Sequence, residues 1–273
     1  MRGPEVTVRV WGDRRREQSL RHVAESWKPL VDAIRNASDR STRWRRPPIR
    51  QFVEAAVAGN LYDAVELALQ YMSVTNSRVT VITDLLNAAH LQSEDAWHIG
   101  NATAQDEYRV FRAVEAAAAA LPGASMPRGV EPHDTVLLAT VWPEEHDLGL
   151  RLAASALTEA GFQVDLVTGI VADDLVARAG KIAGRVVGLS ATMVDTRVRG
   201  ELADVIDALH KLGKVVIAGG SSFRRFPPFA QQIGVDAVAA DARMGVMTAG
   251  RLRTPGRYPL DRLGHASRMV GAP

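Results

Sequence analysis

Between residues 134 and 252 the apolar residues change period again and again, and no other property of the chain restricts its fold so strongly. Thr135–Thr140, Phe162–Val167, Val186–Ser190, Val215–Ala218 and Ala237–Ala240 are short apolar runs of the length that buried strands take. Leu148–Ala160, Ala172–Ile182, Val198–Leu212, Pro228–Ile233 and Arg243–Arg251 read as helices, and Gly161, Gly213 and Gly234 stand where three of them should stop. Strand–helix units in unbroken succession predict a doubly wound, five-stranded parallel sheet with helices on both faces. Ligands of such sheets bind beyond the carboxyl ends of the strands. The loops after Thr140, Ser190 and Ala218 are therefore where chemistry is sought.

The first half has no such alternation. Helical stretches are expected over Ile49–Ala58, Leu61–Met72, Arg78–His90 and Ala102–Leu121, with Gly59-Asn60, Thr75–Ser77 and Gly100-Asn101 as breaks. Ser93–Gly100 reads as a separate short segment between the last two. This is the pattern of a small helical bundle. Upstream, Leu20, Val23, Trp27, Leu30 and Ile34 form the stripe of an amphipathic helix from Gln18 to Ile34, which suits a dimer seam and packing on its own domain equally. Asn36–Pro48 reads as a linker, and the Pro- and Gly-rich stretch from Pro122 to Pro132 as the main boundary. The expected organisation is a basic N-terminal helix and linker (1–48), a helical bundle (49–121), a linker (122–133), the sheet domain (134–252) and a tail (253–273).

Zero cysteines exclude a disulfide scaffold, a zinc ribbon, an iron–sulfur site, a thiol nucleophile and any cofactor held through a thioether. No apolar run approaches the roughly 18 residues of a membrane span. Met1–Gly12 has no apolar signal segment, so a soluble cytoplasmic protein without a membrane partner is the expectation. Residues 1–50 hold 13 basic and 6 acidic residues, a local +7, while the remainder sums to −5. The clusters Arg14–Arg16 and Arg40, Arg43, Arg45, Arg46 and Arg50 suit a nucleic-acid arm or a solvated leader; the absence of a helix-turn-helix pattern favours the leader.

Three loop elements stand out. After the first strand, Glu144-Glu145-His146-Asp147-Leu148-Gly149 offers an imidazole at a sheet edge, a carboxylate able to orient it, and a glycine at a helix start. One histidine does not make a metal site, but it can supply one axial ligand to a metal already held by a macrocycle; taken alone, the motif reads more readily as a structural histidine. After the third strand, Ser190 and Thr192 sit two residues apart, an arrangement that on a strand shares one face and can donate to an inserted ring nitrogen. After the fourth, Gly219-Gly220 permits close approach of backbone to a ligand, or marks a tight turn.

In this order on one sheet edge, these residues resemble the cobalamin-binding domain, whose sheet is flavodoxin-like (Rossmann-like). Glu144, His146 and Gly149 match its Asp/Glu-x-His-x-x-Gly loop, Ser190 and Thr192 its Ser-x-Thr/Leu element, and Gly219 and Gly220 its Gly-Gly element. The resemblance, over about Asp134 to Leu252, implies that His146 is the lower axial cobalt ligand and that the dimethylbenzimidazole tail inserts into the sheet. The Glu-x-His-x-Leu-Gly-Leu form is similar to cobalamin photoreceptors of the CarH type, which carry a four-helix bundle with a Trp-x9-Glu-His signature. Trp97 and Glu107 match it, but Tyr108 stands where that family has His. His98 follows Trp97, as in receptors that capture cobalt after illumination. The resemblance implies that the bundle residues Trp97, His98, Glu107 and Tyr108 cap the upper cobalamin face.

The expectation that follows is a light-responsive signalling protein that is not an enzyme. Photolysis of the Co–C bond of adenosylcobalamin would release the adenosyl group, admit His98 as upper ligand, and rearrange the domains or a homo-oligomer. No MerR-type DNA-binding domain precedes the bundle, so direct DNA binding is not expected. A bundle plus cobalamin domain alone is similar to photocobilins, which implies a non-covalent biliverdin as second chromophore. The alternatives are a corrinoid carrier or subunit of a methyltransferase or mutase system, and a cobalamin-free interaction module. The Trp97 cap argues against a carrier, whose upper face must be open to a partner.

Overall fold

The computed structural model describes residues 46–122, 134–192 and 196–252. The chain forms two compact units, one helical and one α/β. The expected helix Gln18–Ile34, the N-terminal arginine clusters up to Arg45, and the tail from residue 253 lie outside the described residues.

The helical unit contains α1 (Ile49–Val57), α2 (Leu61–Thr75), α3 (Arg78–Thr80), a π-helical segment (Val81–Leu86), α4 (Asn87–His98) and α5 (Ala104–Ala120). α2 ends at Asn76, whose left-handed φ of 48° lets its N–H reach the Met72 carbonyl. Ser77 then caps α3 by accepting from the Thr80 N–H at 3.2 Å. Helix α3, the π segment and α4 run without a break to His98, so the expected stop at His90 and the separate segment Ser93–Gly100 do not occur. No Gly or Pro interrupts that stretch before Gly100, which takes a φ of +78°. α5 opens on a capping box, with Thr103 Oγ1 accepting from the Asp106 N–H and the Asp106 carboxylate accepting from the Thr103 N–H. The Thr103 hydroxyl, which donates to the Asp106 carboxylate at 2.6 Å, and then the Thr103 N–H hold that carboxyl below the usual carboxylate range. Phe52, Val65, Leu69, Ile82, Leu85, Leu86, Val110 and Val114 are buried and make its core.

The α/β unit runs β1 (Thr135–Val141), α6 (Leu148–Glu159), β2 (Gln163–Ile170), α7 (Ala172–Lys181), β3 (Val186–Ser190), α8 (Thr196–Lys211), β4 (Val215–Gly219), α9 (Ser221–Arg225), α10 (Pro227–Gln232), β5 (Ala237–Val238) and α11 (Ala242–Leu252). All neighbouring strands pair parallel in the order β2-β1-β3-β4-β5, the flavodoxin-like order. Alternation along β1 divides the core. Leu137, Ala139 and Val141 join the layer of α7 and α8, whereas Val136 and Leu138 join that of α6 and α11. Each fully buried leucine contributes about 1.5–3 kcal/mol, which is why the strands read as continuous apolar runs. Gly188 leaves room for Leu138, whose side chain a Cβ there would strike. The five-residue helix α9 was not expected; it has no room for an amphipathic period and opens at Gly220 with φ +91°.

At the amino edge of the sheet, buried Lys214 donates to the carbonyls of Ile182 (2.6 Å) and Gly184 (2.8 Å). Replacing it with methionine strands both acceptors and is expected to cost about 1–3 kcal/mol, read from urea unfolding. Burial lowers the Lys214 pKa from 10.5, so the folded chain binds fewer protons than the unfolded one in the window between the lowered value and 10.5. The stability contribution of Lys214 therefore rises with pH through that window. A stability difference between wild type and Lys214→Met that shrinks there would contradict this.

Candidate functional site

The strand order reverses between β1 and β3, which opens a crevice at their carboxyl ends. The β1–α6 loop crosses this crevice. Glu144 N–H donates to the Val141 carbonyl at 3.0 Å, turning the chain back, and Trp142 N–H donates to Ile170 at the end of β2. Fully buried Thr140 holds the loop from below: its Oγ1 accepts from Gly169 N–H (2.8 Å) and donates to the Glu144 carbonyl (3.1 Å). No motif marked Thr140 in the sequence. Removing its hydroxyl in Thr140→Val is expected to cost about 2 kcal/mol and to weaken ligand binding at the loop. An unchanged urea midpoint would show that the hydroxyl bridge holds nothing.

Glu144 is buried and His146 is 62% exposed. Glu144 Oε1 accepts from the His146 backbone N–H at 2.9 Å and lies 2.6 Å from His146 Nδ1. Its other oxygen, Oε2, accepts from the backbone N–H of Thr192 at 2.5 Å, across the crevice. One carboxylate thus orients the imidazole and ties the β1 loop to the β3 loop. With Nδ1 facing Glu144, Nε2 lies on the side of the ring away from that carboxylate. Asp147, anchored by Arg151 at 3.1 Å, precedes α6, and Gly149 lies in its first turn with open space where a Cβ would sit.

Thr192 is not on β3. The strand ends at Ser190, and the chain bends over the end of β4, where Ala191 N–H donates to the Gly219 carbonyl and Ser222 N–H to the Ala191 carbonyl. The expectation that Ser190 and Thr192 share a strand face is therefore corrected. Ser190 is buried at the strand end, and the Thr192 carbonyl accepts from Ser222 Oγ at 2.8 Å. The two glycines also separate. Gly220 is required by the protein itself: its φ is +91°, and a Cβ would collide with the Ala191 backbone. At Gly219 a Cβ would make only an ordinary 3.6 Å contact with the Ala239 carbonyl, so this glycine leaves space beside the strand end. Gly245 on α11 is equally uncrowded, 3.8 Å from Ala239. Neither Ala239 nor Gly245 was singled out in the sequence.

Among the described residues no group of three or more acidic or histidine side chains is set to hold a metal. The donor set suits a metal that brings its own equatorial chelator and needs one imidazole, with small-residue space beside the sheet end for an appended group. The residues present fit a corrinoid on these terms.

In the helical unit, Trp97 and His98 end α4, their rings 4.6 Å apart, and Glu107 and Tyr108 lie early in α5. All four flank the α4–α5 turn. Tyr108, which replaces the histidine of the photoreceptor signature, is exposed and stacks on Phe111 at 6.2 Å. No helix among the described residues is long and apolar enough to cross a membrane.

Residues 134–247 match the family described as B12 binding domain. A corrinoid protein of Desulfitobacterium hafniense is 31% identical over 121 residues, 43% of this chain and 55% of the relative. Dimethylamine corrinoid protein 3 of Methanosarcina mazei is 30% identical over 123 residues, 43% of this chain and 71% of the relative. The chain thus spans only just over half the length of the first of these relatives. The solved monomethylamine corrinoid protein of Methanosarcina barkeri superposes with a TM-score of 0.57 at 20% identity, covering 73% of this chain and 95% of that one, which supports the fold. Cobalamin is thereby supported as the ligand. The light-sensing expectation is overturned, because these relatives are corrinoid proteins, two of them named for methylamines, and they favour the carrier alternative. The role of His98 as a ligand after illumination falls with it. The adenosyl form and biliverdin entered with that expectation and gain no support from these relatives.

Proposed function

The chain belongs to the corrinoid proteins that carry the B12 binding domain, and from this premise we propose that it is a corrinoid carrier, serving a separate methyltransferase chain rather than acting as an enzyme itself. The observation that carries the corrinoid part of this reading is the double engagement of buried Glu144, with the exposed His146 imidazole on one oxygen and the Thr192 N–H on the other; the carrier role follows from the likeness to corrinoid proteins. In this reading His146 Nε2 would hold the cobalt, while Glu144 holds Nδ1 and so fixes tautomer and ring direction. Ser190, Thr192 and Gly219 flank the space for the nucleotide tail, while Gly220 shapes the turn beneath it. Gly149 keeps the start of α6 low beside the loop. When bound, the corrinoid would supply the one-carbon transfer chemistry.

A carrier needs a firm grip on the lower face, which the polar anchoring on the sheet edge would supply, and access to the upper one. The carrier reading needs the upper face open to its partner and assigns Trp97, His98, Glu107 and Tyr108 no role there. The test is to load the purified chain with hydroxocobalamin, reduce and methylate it, and follow methyl transfer in darkness to a thiol acceptor with and without a corrinoid-dependent methyltransferase. Transfer that depends on the second chain supports a carrier. Failure to take up cobalamin ends the proposal.

A further inference from the structure

The β1–α6 loop presents a second ring that the assignment above leaves unused. Trp142 and Pro143 occupy the apex of the turn closed by Glu144 N–H and the Val141 carbonyl, and Trp142 is 52% exposed. Its backbone N–H donates to Ile170 at 2.9 Å, so it stands beside the end of β2. The next residue, Val171, is 58% exposed and precedes α7. Trp142 and Val171 are thus two exposed, large apolar side chains at the carboxyl edge, on the β2 side of the crevice. On the β3 side, Glu144 is pinned to Thr192 and buried, and four residues after the indole comes the exposed imidazole of His146.

A metal bound to an exposed imidazole carries its macrocycle across the tip of the loop, roughly perpendicular to the metal–nitrogen bond. An exposed side chain on the same loop as the imidazole comes within reach of that macrocycle. We propose that Trp142, with Val171, forms an apolar shelf on which the underside of the corrin rests on the β2 side. The proposal rests on the corrinoid reading and adds a binding surface that the three motifs do not contain. The shelf converts water-exposed aromatic and aliphatic area into contact with the ring and limits its tilt about the cobalt–imidazole bond.

The experiment is hydroxyl-radical footprinting of the full-length chain, read by mass spectrometry, with and without saturating hydroxocobalamin. Oxidation of Trp142 is expected to fall on loading towards that of the fully buried Phe223. In parallel, Trp142→Ala is expected to weaken hydroxocobalamin binding about tenfold, whereas Trp142→Phe stays near wild type. Normal cobalamin binding with Trp142 as reactive as before overturns the shelf and leaves the corrinoid reading standing. Absence of binding by the wild-type chain overturns both. If Trp142→Ala does not fold, the footprint of the unmutated chain still decides.

Discussion

His146→Ala is expected to weaken hydroxocobalamin binding by more than the roughly 10–100-fold that losing an outer-shell partner costs a metal site. In the corrinoid reading the imidazole gives a nitrogen to cobalt, and its Nδ1 is already committed to Glu144 at 2.6 Å. Alanine removes that nitrogen and leaves the tail space beside Gly219 untouched. Binding should therefore become weak rather than vanish, and the absorption bands that report the lower ligand should shift. Stability should move little, because the side chain is 62% exposed and fills no core space. Spectrophotometric titration and a urea melt on the same preparation separate the two effects. Wild-type affinity together with a wild-type spectrum would remove His146 from the cobalt.

How much of this was readable in the residues divides along physical lines. Strand β3 is legible to its bounds, Val186–Ser190, because all five residues are buried and only the last, Ser190, is polar. The sheet order and the crevice between β1 and β3 are tertiary facts that periodicity does not encode. His146 and Glu144 were legible as a spaced pair, since an imidazole near a carboxylate is a chemical signal in itself. Thr140 was not, because a lone threonine in an apolar strand looks the same whether or not it bridges Gly169 and Glu144. The misreading of function has its own cause. Carriers and light sensors need the same grip on the lower face, so Glu144, His146 and the glycines cannot tell them apart. The distinction was laid on Trp97 and Glu107, whose signature was already broken at Tyr108.

The second large effect is expected from Glu144→Gln, a change that preserves volume and removes one acceptor. In the wild type three donors converge on the carboxylate: the His146 N–H, the His146 Nδ1 side and the Thr192 N–H. A glutamine has one carbonyl oxygen and an amide that donates, so at least one buried N–H must face another donor. A stranded donor of this kind costs about 1–3 kcal/mol, which urea unfolding of the cobalamin-free chain will register. The consequence for the ligand is separate. If the amide side faces Thr192, the β1 and β3 loops part while His146 keeps its orientation. If it faces His146, the imidazole loses its acceptor and its fixed tautomer. Both arrangements should weaken hydroxocobalamin binding about 10–100-fold, but only the second alters the spectrum of the bound cobalamin. Glu144→Asp, which keeps the charge on a shorter stem, should recover part of the affinity. A merely structural Glu144 would show the stability loss alone, with saturated cobalamin spectra and affinity equal to wild type, and that outcome would dissolve the link between the imidazole and the β3 loop.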